Sequence, residues 1–112
     1  MEDIFKITVM YDLYSPMLTD KQKNIFELYY MNDYSFSEIG ELLDVSKASA
    51  FDLLNRTKAK IFDYEKKLKL YEKFIEQQEI LLKIKEELNF LEDKRVNKAL
   101  DNLELLINNI NG

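Results

Sequence analysis

The sequence is 112 residues long, 46% hydrophobic and 33% charged, a balance that suits one small domain with a charged extension. With 2 glycines and 1 proline it lacks the turn residues that β-sandwiches, barrels and dinucleotide-binding units need, which leaves an all-α protein. Without cysteine or histidine it has no disulfides, zinc ribbons, thiol catalysis or imidazole base, and a net charge of −5 weighs against a uniformly basic nucleic-acid binder.

The first element is a helix over residues 2–15. Asp3 is placed to cap it, Ile4, Phe5, Val9, Leu13 and Tyr14 fall roughly on one side, and Pro16 ends it near Ser15. Thr19 and Gln22 then form a capping box, in which each side chain satisfies the other residue's backbone amide. The helix they open buries Ile25, Phe26, Leu28 and Tyr29 and should end near residues 31–33. A second capping box, Ser35 with Glu38, opens a short helix from Phe36 to Leu43, with Tyr34 and Ile39 placed as its hydrophobic staple. Residues 44–46 leave room only for a turn, and Ser46 is a good cap for a helix that starts at Lys47.

From Lys47 to Leu88 no glycine, proline or turn cluster interrupts the pattern, so one long helix is expected. Ile61, Tyr64, Leu68, Tyr71 and Ile75 step by 3 and 4, a heptad seam that Phe74 widens. A shifted stripe of Leu81, Ile84, Leu88 and Leu91 follows, then a break near residues 89–93. A last amphipathic helix carries Val96, Leu100, Leu103, Ile107 and Ile110, and Gly112 ends the chain. This pattern predicts a domain over residues 1–60 and a packing extension over residues 61–112. So extensive a seam has few other residues to cover it, so Ile61, Tyr64, Leu68, Tyr71, Phe74 and Ile75 are expected to pair two copies as a homodimer.

Residues 36–54 fit a helix-turn-helix. That motif needs a small residue where its two helices approach and apolar residues on both sides of the turn. Gly40 stands at the close approach, with Ile39, Leu43, Val45, Ala50 and Leu53 inward. Asp44 takes the turn position, which asks for a residue that tolerates the left-handed region. Charge is sorted around the motif. Residues 19–45 carry 2 bases and 6 acids, net −4, whereas residues 46–60 carry 4 bases and 1 acid, net +3. Lys47, Ser49, Asn55, Arg56, Lys58 and Lys60 are therefore the predicted nucleic-acid-binding residues. Ala48, Ser49 and Asp52 offer little for reading base edges, while the cations suit phosphates.

Adjacent carboxylates such as Glu86 with Glu87 and Glu92 with Asp93 point apart on a helix, and no phosphate-binding glycine loop or nucleophile elbow occurs. A non-enzymatic protein without metal or cofactor is expected. No apolar run approaches the roughly 18 residues of a membrane span. The start at Met1, Glu2, Asp3 and Ile4 is acidic where a signal peptide is basic, so a cytoplasmic protein without membrane insertion is expected.

The runs LTDKQKN (18–24), ELYY (27–30), DYS (33–35) and SEI (37–39), with Val45, Ser46 and NRT (55–57), resemble the YlxM family of small bacterial helix-turn-helix proteins. The similarity continues through DYEKKL (63–68), LYEKF (70–74) and QEI (78–80) and covers roughly residues 8–88. It implies an all-helical fold: a helix-turn-helix domain related to region 4 of sigma factors, followed by long C-terminal helices. It also implies a regulatory role linked to the signal recognition particle, with DNA, RNA or the particle's GTPase as partner. Within the family's recognition-helix pattern Ser46, Asp52, Arg56 and Thr57 are kept. Ala48, Leu53 and Asn55 replace a glutamine, an asparagine and a basic residue, which removes groups a DNA reader uses. The alternative is a protein–protein adaptor that keeps the fold without sequence-specific DNA binding.

Overall fold

The computed structural model describes residues 2–111, with side chains through Asn109; the positions expected for the Ile110 side chain and for Gly112 lie outside the described residues. The chain is all-helical in this range and forms two compact units, Met1–Leu68 and Lys69–Gly112.

The first unit begins with α1 (Ile4–Tyr14), whose first turn is capped by the Asp3 carboxylate accepting from the Lys6 amide at 3.0 Å. Its buried stripe is Ile7, Met10, Tyr11 and Tyr14, so the predicted face is corrected. Ile4 and Phe5 are exposed, and Val9 and Leu13 are half-buried. Two overlapping apolar stripes run along this helix, and the one chosen lets two tyrosines keep hydrogen bonds as they bury. The Tyr11 hydroxyl donates to Glu27 at 3.0 Å and that of Tyr14 to Glu65 at 2.6 Å.

A short 3-10 turn, Ser15–Met17, contains Pro16 and leads to α2 (Asp20–Phe26). The Thr19–Gln22 capping box is complete. A π-helical turn, Glu27–Met31, prolongs α2 and ends at Asn32 and Asp33, the latter left-handed at φ 57°. Phe26 stacks on Tyr11 (centroids 4.1 Å apart) and lies 4.6 Å from Tyr30, which fixes the turn against α1.

The second capping box is also complete at the start of α3 (Phe36–Leu43), where hydrogen bonding to Ser35 holds the Glu38 carboxyl below its usual value. Helix α4 (Lys47–Leu68) follows the turn and buries Ala50, Leu54, Thr57 and Ile61. Ile61 is buried, and half-buried Tyr64 stacks 5.9 Å from Tyr14. Residues 61–68 thus belong with the first unit, eight residues past the expected boundary.

Lys69 adopts a left-handed conformation (φ 56°, ψ 34°) and ends the helix expected to run on to Leu88. No glycine or proline announces the break; a lysine takes this conformation at a cost of about 1 kcal/mol. It divides the predicted seam. Ile61 and Tyr64 pack inside the first unit, and Leu68 is exposed at the end of α4. Tyr71, Phe74 and Ile75 are half-buried on α5 (Leu70–Leu88). The second unit is an antiparallel hairpin of α5 and α6 (Lys94–Asn111), joined by a 3-10 turn at Asn89–Leu91 and a left-handed Glu92, where a break was expected. Lys85 pairs with Glu104 at 2.6 Å and Gln78 with Asn108 at 3.1 Å, while Leu81 and Leu100 are its buried apolar residues.

Candidate nucleic-acid interface

Gly40 decides how α3 meets α4. A Cβ built there would lie 2.8 Å from the Val45 carbonyl oxygen and 3.3 Å from the Lys47 amide nitrogen. Both neighbours are backbone, so only glycine lets the turn pass this close to α3. Asp44 supplies the left-handed step (φ 56°, ψ 47°), and the Val45 amide donates back to the Gly40 carbonyl at 2.9 Å. Ser46 then caps α4 by accepting from the Ser49 amide at 3.0 Å, and the two hydroxyls bond at 2.8 Å.

The inward positions are partly as predicted. Ile39, Gly40 and Ala50 are buried and Leu43 is half-buried. Val45 is corrected: its side chain is 37% exposed and it serves the turn through its backbone. Leu53, half-buried like Leu43, is inward only in part, and the fully buried neighbour is Leu54 at 2% exposure. Leu54 shares the line of Ala50, Thr57 and Ile61, with steps of 4, 3 and 4, and Leu53 lies about a fifth of a turn to one side of it. Buried Thr57 satisfies its hydroxyl on the Leu53 carbonyl at 2.8 Å.

The predicted contact residues do not form one surface. Lys47, Ser49, Asn55 and Arg56 are exposed along the first half of α4. Arg56 is closed on Asp52 at 2.8 Å, one turn back, a pair that the i, i+4 spacing announces in the sequence. Lys58 turns aside to Glu2 at 2.6 Å and sits 5.8 Å over the Tyr30 ring. Burial pulls the Lys58 ammonium down, but the hydrogen bonds to Glu2 and Tyr30 outweigh it and hold it above its usual value. The same contacts lower the Glu2 carboxyl, whereas burial, reinforced by Glu2, pushes the Tyr30 phenol up to about 12. Lys60 leaves on another flank, 3.5 Å from the Gln22 side-chain oxygen and 5.9 Å over Tyr64. Lys58 and Lys60 are half-buried braces of the domain, because their long stems lie along its aromatic body.

Phe51 is 52% exposed beside Lys47 and Asn55 and meets Phe36 edge-on at 5.2 Å; Phe36 in turn stacks on Tyr29 at 4.7 Å. This aromatic support under the presented face joins residues distant in sequence. On the α3 side, Glu38, Glu41 and Asp44 are exposed carboxylates. The arrangement offers two cations, one of them paired with Asp52, with hydroxyl and amide donors and one ring, which suits phosphate contact more than base reading. Among the described residues no cluster has the makings of a metal site, and no helix is long and apolar enough to cross a membrane.

Comparison with known proteins agrees with this geometry. The sequence matches, over residues 1–103, the helix-turn-helix protein family described as YlxM / p13 like. It is 48% identical over 87 residues to a UPF0122 protein of Caldanaerobacter subterraneus, covering 77% of this chain and 74% of that one. A UPF0122 protein of Thermoanaerobacter sp. is 41% identical over 93 residues, covering 83% and 80% of the two chains. One from Bacillus velezensis is 37% identical over 107 residues, covering 95% and 97%. A helix-turn-helix held by Gly40, joined to a helical hairpin and matched along nearly its whole length, places this chain in the YlxM / p13-like family of helix-turn-helix proteins.

Proposed function

We propose that the chain is a non-enzymatic regulatory protein of the cytoplasm that binds helical nucleic acid through the first half of α4. It does so by phosphate contacts with little discrimination between bases. What supports this role is the Gly40 crossing, which leaves Lys47, Ser49, Asn55 and Arg56 exposed together on a capped helix. Binding is weak and salt-sensitive, since few cations stand on an acidic domain. The family resemblance implies the signal recognition particle pathway, so that particle's RNA is the ligand to set beside duplex DNA.

The test is a titration with both nucleic acids at 20 mM and 150 mM salt. Lys47→Ala and Arg56→Ala should each weaken binding whatever the sequence, and each should flatten the salt dependence by about one unit of slope. Absence of binding by either nucleic acid at low salt ends this reading. The adaptor reading is favoured by one observation, the closure of Arg56 on Asp52. Recovery of the targeting GTPase in a pull-down that nuclease does not diminish would establish it.

A further inference from the structure

The α5–α6 hairpin has two unlike broadsides. One carries the polar pairs Lys85–Glu104 and Gln78–Asn108. The other opens as an apolar cleft of about 170 Å³, lined by Ile80, Leu81, Ile84, Leu103 and Ile107, with Gln77 as its polar member. Ile80, which lines it, is 57% exposed, and Leu106, the residue before Ile107 on α6, is 54% exposed. Two helices alone cannot close a core, and a unit of about 40 residues ordinarily needs a further partner for stability.

The geometry points to a second copy of this chain as the occupant: two hairpins stack by this apolar broadside into a four-helix layer. Three observations select a copy of itself. The first is level. The Gln78–Asn108 and Lys85–Glu104 pairs bring Ile80 of α5 alongside Leu106 and Ile107 of α6. A two-fold axis through that level sets both Ile80 and Leu106 against their own counterparts.

The second observation is charge. Lys73, Ile80 and Glu87 repeat every seven residues along one line of α5, flanked by Glu76 and Lys83, and all five are exposed. In an antiparallel pairing centred on Ile80, Lys73 of one copy faces Glu87 of the other, and Glu76 faces Lys83. The pattern is complementary to its own reversal, which no foreign partner requires. The third is extent. Helices of 19 and 18 residues are about 27 Å long, so two stacked hairpins bury roughly 1,000 Å² in total, enough for a specific pairing.

The sequence-based expectation of a homodimer is thereby moved from the divided Ile61–Ile75 seam to a different face. This assembly does not depend on nucleic-acid binding.

Sedimentation equilibrium of the full chain from 1 to 200 µM tests it, with circular dichroism to verify that each variant keeps its helices. The wild type should approach twice the monomer mass, and Ile80→Lys with Leu106→Lys should hold it at the monomer mass. Leu105→Lys, on the outward side of α6, should leave the dimer intact. Lys73→Glu and Glu87→Lys should each weaken association by roughly tenfold. The double swap K73E/E87K, whose positions are too far apart to meet within one chain, should restore it. A wild type that stays monomeric throughout overturns the proposal. So does a double swap no better than either single one.

Discussion

Arg56 has two claimants for its guanidinium, the Asp52 carboxylate at 2.8 Å and any phosphate that approaches α4. Both side chains are mostly exposed, so the existing pair is worth little to stability. Its larger effect is to cancel a cation where one is needed. Asp52→Asn should therefore strengthen duplex binding by roughly three- to tenfold at low salt, with a stability change below about 0.5 kcal/mol. Fluorescence anisotropy and urea unfolding measure the two effects.

Glu2, Lys58 and Tyr30 work in the opposite way, tying α1's leading segment to the domain. The Glu2 carboxyl is lowered, so its contribution is present above the ordinary carboxylate range and is lost as pH falls through the lowered value. The Tyr30 phenol is raised to about 12, so its contribution is complete below about pH 10 and fades as pH climbs through 12. Because the pair is partly exposed, Glu2→Gln should cost under about 1 kcal/mol. Urea midpoints of wild type and E2Q should differ by a constant amount from pH 6 to 9 and converge below about pH 4.

At the scale of elements, the close approach of the turn to α3 rests on one missing methyl group. Gly40→Ala gains about 1 kcal/mol of helix propensity. It also forces backbone 2.8 Å away to move, at a cost of roughly 1–3 kcal/mol. A net loss of up to about 2 kcal/mol in chemical unfolding is expected, together with weaker nucleic-acid binding as Lys47 shifts. The register of α4 is tested in the same assay. Leu54→Ala should cost about 2–5 kcal/mol, whereas Leu53→Ala should cost less than about 1.5 kcal/mol.

These elements also separate what was legible in the sequence from what was not. Capping boxes at Thr19 and Ser35, the left-handed Asp44 and the close approach at Gly40 are local, and each could be read from neighbouring residues. Between the adjacent apolar residues Leu53 and Leu54 the choice depends on which helix α4 meets, and no local pattern states that. The break at Lys69 lies in a stretch whose composition is helical throughout. The diversion of Lys58 joins residues 56 positions apart, so a basic run could be counted while its cations' destinations stayed hidden.

For the molecule as a whole, charge sets how binding responds to solution conditions. With no histidine or cysteine, no side chain has its ordinary pKa between about 5 and 8. Glu2 and Glu38 are shifted downward and Lys58, Lys67, Tyr11 and Tyr30 upward, all away from neutral pH, while burial raises the Asp12 carboxyl from the ordinary carboxylate range. Protein charge, and with it nucleic-acid affinity, should therefore stay nearly constant from pH 6 to 9. Salt acts differently. Lys47 and a released Arg56 neutralise about two phosphates, so the slope of log affinity against log salt should be roughly −2 on duplex DNA. Lys58 and Lys60, held against the domain, add little to that slope. A slope near −4 would mean that both lysines leave their braces to reach the backbone, and a pH-dependent affinity in this window would place the binding group outside α4.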